Sequence, residues 1–197
     1  MEEKKLTEQE SLQLIGRMIY EAKGYFYENG MSALVYGFSV LICSVLAFIE
    51  KKESIAFPLN PFYLLVPVFF VQGVIQYRQD KKKKAKTFTD EAVDFVWMGF
   101  FIAVLVSLSA LWAGVGYLII SFILILIGIA CFLTGMITKF RFHVVTGFVA
   151  WLSAIFSFFI NTEINYLLLA AIAVLIWIIP GFILRSKFKQ VQQAEKE

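Results

Sequence analysis

Arg78-Gln79-Asp80-Lys81-Lys82-Lys83-Lys84-Ala85-Lys86 places six Lys or Arg within nine residues, between two long apolar stretches. A segment this basic resists translocation, so it is expected to stay on the cytoplasmic side and to orient the apolar stretches beside it. Around it the 197-residue chain is 59% hydrophobic and holds 21 Phe, far more apolar surface than one soluble core can bury. A bilayer is the solvent such a composition implies. The formal charge of +3 is slight, and the basic residues lie almost wholly outside the apolar stretches. That distribution speaks against a nucleic-acid footprint or a groove for an acidic substrate.

Six stretches carry no charged residue: Ser32–Ile49, Phe62–Tyr77, Phe95–Trp112, Val115–Thr138, Val144–Ile160 and Ile164–Leu184. Each is close to the ~20 residues a helix needs to cross ~30 Å of hydrocarbon. With their flanks they predict spans at 32–49, 56–77, 92–112, 115–138, 142–160 and 164–184. The expected fold is all-α, an integral membrane bundle of six transmembrane helices over residues 31–185 with a tail at 186–197. Pro58, Pro61 and Pro67 predict that the outer half of the second span is kinked or irregular. Of the 18 Lys and Arg, only Lys51 and Lys52 fall in loops that this arrangement puts outside, which predicts both termini in the cytoplasm. Trp97, Trp112, Tyr117 and Tyr166 stand near span ends, where an aromatic belt would place them.

Residues 1–30 precede the bundle, and within them 7–28 reads as an amphipathic helix. Thr7 and Glu10 fit a capping box, Leu12, Ile15, Ile19, Ala22 and Phe26 recur at spacings of three and four, and Asn29-Gly30 supplies a stop. Four acids, Glu8, Glu10, Glu21 and Glu28, face two bases, Arg17 and Lys23. Helices that adsorb to anionic lipid are usually rich in Lys and Arg, so the apolar stripe is expected to dock on protein: the bundle's own cytoplasmic face, a second copy, or a membrane or cytoplasmic partner. The long, acidic start does not resemble a cleavable signal, and the N-terminus is expected to remain on the mature protein.

Inside the apolar stretches, Ser121, Gly128, Cys131, Gly135 and Thr138 form one stripe of small residues, and Gly147, Ala150, Ala154 and Ser157 form another. Small stripes let membrane helices approach closely, so the fourth and fifth spans are expected to pack against each other. Cys43 and Cys131 lack the spacing of a metal or disulfide framework and read as small packing residues. Gln72 and Gln76, one turn apart, read first as an interhelical hydrogen bond and second as the lining of a polar pathway. Pro180-Gly181 is a candidate hinge, or a static kink where the last helix leaves the membrane. His143, the single histidine, reads as an ordinary interfacial residue, and Asp90, Glu91 and Asp94 as helix-dipole partners beside the lysine run.

No Asp, Glu, Lys, Arg or His lies inside the six stretches. Ion-coupled transporters and membrane hydrolases need such groups, so a non-enzymatic protein without cofactor or metal is expected. Glu10-Ser11-Leu12…Ile15…Met18-Ile19…Ala22-Lys23, the fifth span with Trp151, and Ile179-Pro180-Gly181-Phe182…Arg185 resemble a family of uncharacterised multi-span inner-membrane proteins of Bacteroidetes. The resemblance covers most of the chain, and it implies a bacterial cytoplasmic (inner) membrane and no catalytic residues. Two functions fit: a scaffold or regulatory protein that docks a partner through helix 7–28, or a small permease or exporter for an uncharged or lipophilic solute.

Overall fold

The computed structural model describes residues 30–53, 57–80 and 88–194, with no side-chain description at 76–80, 187–188 and 191–194. Helix 7–28 with its stripe from Leu12 to Phe26, and the run Lys81–Lys86, lie outside the described residues. Among those described, helix is the sole regular structure. The elements are α1 (Met31–Lys52), a 3-10 turn (Pro61–Leu64) leading into α2 (Leu65–Asp80), and α3 (Phe88–Ser107), which tightens to 3-10 at Leu108–Leu111. Gly116–Leu118, also 3-10, opens α4 (Ile119–Thr138), and α5 is Arg141–Ser157. The last helix is made of α6 (Thr162–Ala173), a π-helical turn (Val174–Ile178) and α7 (Ile179–Ala194).

Four of these helices are long and apolar enough to cross a membrane: Met31–Lys52, Phe88–Leu111, Gly116–Thr138 and Thr162–Ser186, of 22 to 25 residues. At ~1.5 Å per residue they are about 33 to 38 Å long. Pro61–Ile75 and Arg141–Ser157 are apolar but shorter. Side chains on the outside of the bundle are apolar too, among them Phe70, Phe95, Leu105, Trp112, Ile155 and Phe159. So broad an exposed apolar surface fits a membrane-embedded protein, because hydrocarbon and not water is what it can face.

The second apolar stretch departs from a plain helix for the reason its prolines give. Residues 57–60 are irregular, the Asn60 side chain accepts a hydrogen bond from the Phe62 amide at 2.9 Å, and helix starts at Pro61, not at residue 56. A proline lacks the N–H that a helix interior requires but is tolerated in a first turn, which is where Pro61 and Pro67 stand.

The core lies between α4, α5 and the last helix. Leu124, Ile127, Cys131, Ala150, Ile172 and Ile176 are almost wholly excluded from the surface. A two-residue turn folds α5 back on α4: Lys139 adopts the left-handed conformation (φ 56°), and the Phe140 amide bonds the Gly135 carbonyl at 3.0 Å. That turn forces α4 and α5 to run antiparallel in direct contact, the most extensive helix pair of the fold, while α1 lies along α6 and the π turn. α3 leans on this core through Phe100, and α2 is peripheral. Tyr36, Phe69, Phe101 and Trp97 cluster where α1, α2 and α3 meet, with ring centroids 4.9 to 6.5 Å apart, Phe69 edge-on to Phe101 and the other pairs tilted.

Candidate functional site

The α4–α5 seam is built on glycine. A Cβ at Gly128 would overlap the Trp151 indole, one at Gly135 would stand 2.6 Å from the Val144 amide nitrogen, and one at Gly147 would stand 2.9 Å from the Phe132 amide nitrogen. Ala150 and Ala154 complete the buried side of α5. The backbones therefore touch where the two small stripes cross. Trp151 fills the rest: it packs between Phe132 and Phe148, each at a centroid distance of 5.5 Å, and donates through Nε1 to the Ile125 carbonyl at 3.3 Å.

Polar side chains on either side of Trp151 are also engaged by helices. Toward the turn that follows α5, Ser157 donates to Ser121, and Asn165 Nδ2 donates to the Ser157 carbonyl at 3.0 Å, joining α4, α5 and α6. Asn165 is 1% exposed, and its Oδ1 has no hydrogen-bond partner. Toward the turn between α4 and α5, Thr146 donates to the His143 carbonyl at 3.0 Å and Thr138 to the Thr134 carbonyl at 2.7 Å. His143, expected at the interface, is buried at the foot of α5 with its ring 5.0 Å from that of Phe140. Sequence reading missed Asn165; the available signal was an amide four residues into an apolar helix.

Gln72 is buried on the otherwise exposed α2, and its Nε2 donates to the Ser32 carbonyl at 3.3 Å. That bond ties α2 to the first turn of α1. Gln76 lies in the same helix with its side chain outside the described atoms. Beside Gln72 a shallow apolar groove of about 420 Å³, lined by Phe69, Phe70, Gly73 and Val74, opens outward.

Pro180 and Gly181 are both buried. Pro180 cannot donate to the carbonyl of Ile176, and the five-residue π turn just before it accommodates the break. On the other side stands α1: a Cβ at Gly37 would lie 2.7 Å from Ile178 Cγ1, and one at Gly181 would lie 2.8 Å from Leu34 Cγ and 3.2 Å from the Gly30 carbonyl. Gly30 itself, in the left-handed region at φ 66°, rests on the Gly181 carbonyl. The kink is thus clamped against the start of α1.

Among the described residues no three His, Cys, Asp or Glu come together as metal ligands would, and Cys43 and Cys131 are separate buried thiols. Asp90 and Glu91 lie in the first turn of α3, where their charge opposes the helix dipole. No family model, no curated protein and no solved structure matches this chain.

Proposed function

We propose that this is a non-enzymatic, six-span protein of a bacterial cytoplasmic membrane, with both termini in the cytoplasm, that works as a scaffold or regulatory interaction protein through its N-terminal helix. The observation that carries the reading is the use made of interior polar groups. Gln72, Trp151, Ser157 and Asn165 are bonded to neighbouring helices, and the partly buried Trp151 bridges α5 to α4. A bundle stitched in this way holds a shape. The part left for recognition is then the cytoplasmic segment 7–28, with its apolar stripe and acidic surplus.

The two shorter apolar helices support the count of six. α5 is tied back on a span of 23 residues by a two-residue turn, so it shares the depth of α4, and Phe158–Ile160 extend its apolar length. Pro61–Leu64 lengthens α2 in the same way. The basic asymmetry supports the orientation: Lys139 and Arg141 stand at the inner turn, while Ala113-Gly114 and Asn161-Thr162-Glu163 have no base at all.

Photo-crosslinkers at Leu12 and Ile15 in the full chain, in native membranes, test the reading. A discrete protein adduct is expected from each, and Ile15→Glu is expected to abolish the one from Leu12. If neither position crosslinks to protein, while proteoliposomes leak an uncharged solute in a way that Gln72→Leu stops, the permease reading replaces it.

A further inference from the structure

Three buried polar side chains, Ser121, Ser157 and Asn165, join α4, α5 and α6, and their hydrogen bonds do not close. Two hydroxyls carry two protons, and the bond between Ser157 and Ser121 uses one of them. The other proton has no acceptor among these three side chains. Across the joint, Asn165 Nδ2 donates to the Ser157 carbonyl, while Oδ1 accepts from no described group. Oδ1 shares its carbon with Nδ2, which stands 3.0 Å from the Ser157 carbonyl, so the unmet acceptor lies beside the serine pair.

The orphaned hydroxyl of Ser44, on α1, is not the missing donor. α1 and the last helix run antiparallel with Leu34 against Gly181 and Gly37 against Ile178, a register that sets Ser44 near the level of Ala171. That is more than one helical turn of ~5.4 Å from Asn165. Hydrocarbon does not supply the bond either, since Asn165 is 1% exposed and lipid tails hold no donor. Buried polar groups in folded proteins nearly always have a partner, in the protein or in ordered water.

We infer that the joint of α4, α5 and α6 binds one water molecule, which accepts from the serine pair and donates to Asn165 Oδ1. The second lone pair of the Ser157 carbonyl takes its other proton, giving three partners, the usual number for a buried water. A cation is the poorer fit, because no acid is among the buried side chains described and its charge would go unbalanced. The hydrated joint fixes the register of α6. Sliding that helix by one residue turns Asn165 by ~100°, which carries the amide away from both serines and leaves its two ends unmet.

Solid-state NMR on the wild-type full chain, uniformly isotope-labelled in phospholipid vesicles, tests this by passing magnetisation from water protons to side chains at short mixing times. A cross peak from water to Asn165 Cγ is expected. None is expected at Trp151 Nε1, which is partly buried and already gives its proton to the Ile125 carbonyl. Absence of the Asn165 cross peak, or equal signal at Trp151, overturns the water site. A cross peak to Asn165 Cγ from a serine hydroxyl proton alone also overturns it, because the three side chains would then close the network by themselves. A shift of the Asn165 Cγ resonance when sodium is exchanged for N-methylglucamine assigns the joint to a cation and overturns it as well.

Discussion

Replacing Gly135 by Ala puts a methyl group where α4 meets the backbone of α5. An ideal Cβ there stands 2.6 Å from the Val144 nitrogen, 2.7 Å from Val144 Cγ2 and 3.0 Å from the His143 carbonyl carbon. Non-bonded heavy atoms rest near ~3.5 Å, so the first turn of α5 must retreat by about 1 Å. No rotamer change relieves this, because the nearest atom is backbone in a turn held by the Phe140-to-Gly135 and His143-to-Phe140 bonds, each 3.0 Å. Overpacking of this kind costs ~1–3 kcal/mol, against which Ala gains ~0.5–1 kcal/mol over Gly in a helix. Gly99→Ala is the control: nothing lies within 4 Å of its Cβ, so it keeps the gain without the clash. The two variants are expected to differ by about 2 kcal/mol in opposite directions from wild type. Reversible unfolding in mixed micelles, followed by tryptophan fluorescence, reads the difference. Equal stability of Gly135→Ala and Gly99→Ala would refute the close backbone contact.

Gln72→Leu removes the bond to the Ser32 carbonyl and is expected to cost about 0.6 kcal/mol, near the average for interhelical bonds in membranes; a loss above ~2 kcal/mol in the same unfolding assay would point to a larger role for the amide. Asn165→Leu leaves the Ser157 carbonyl without its donor from α6 and is expected to cost about 1–2 kcal/mol, more than Gln72→Leu, because both groups are buried. Ile15→Glu and Ile19→Glu are each expected to raise proteolysis of residues 1–28 without disturbing membrane insertion, while Arg17→Glu does little; unchanged digestion in both stripe variants would remove the main support for the scaffold. Reporter fusions after Glu53, Gly114 and Thr162 are expected to report the outside, and those after Lys84, Arg141 and Glu197 the inside. A periplasmic signal at Lys84 would reverse the topology.

Composition and period alone determine that the chain is helical and made for hydrocarbon. A membrane helix satisfies its own backbone bonds within one segment, so length and apolarity suffice to predict it without knowing any neighbour. The same local logic reached the prolines ahead of α2, where a missing N–H disrupts the helix wherever the chain runs. It did not reach the limits of continuous α-helix. α2 and α5 hold 16 and 17 residues, shorter than the stretches 56–77 and 142–160: the 3-10 turn Pro61–Leu64, capped by Asn60, precedes α2, and α5 gives way to a turn at Phe158.

What tertiary structure decided is which of several chemically equal residues meets a neighbour. Gly73 and Gly99 have open space where a Cβ would go, whereas Gly128, Gly135 and Gly147 meet another helix at once. In sequence all five are glycines in apolar helices, and the small residues spaced around Gly128, Gly135 and Gly147 are what set those three apart. The partners of Trp151 and Asn165 are likewise invisible until folding places an Ile125 carbonyl and a Ser157 carbonyl before them. The π turn at Val174–Ile178 needs both causes: Pro180 breaks the ladder locally, and α1 packs Gly37 against the widened turn that results. A proline is visible in one dimension. The glycine that receives the kink is 143 residues away and becomes its partner when α1 and the last helix lie side by side.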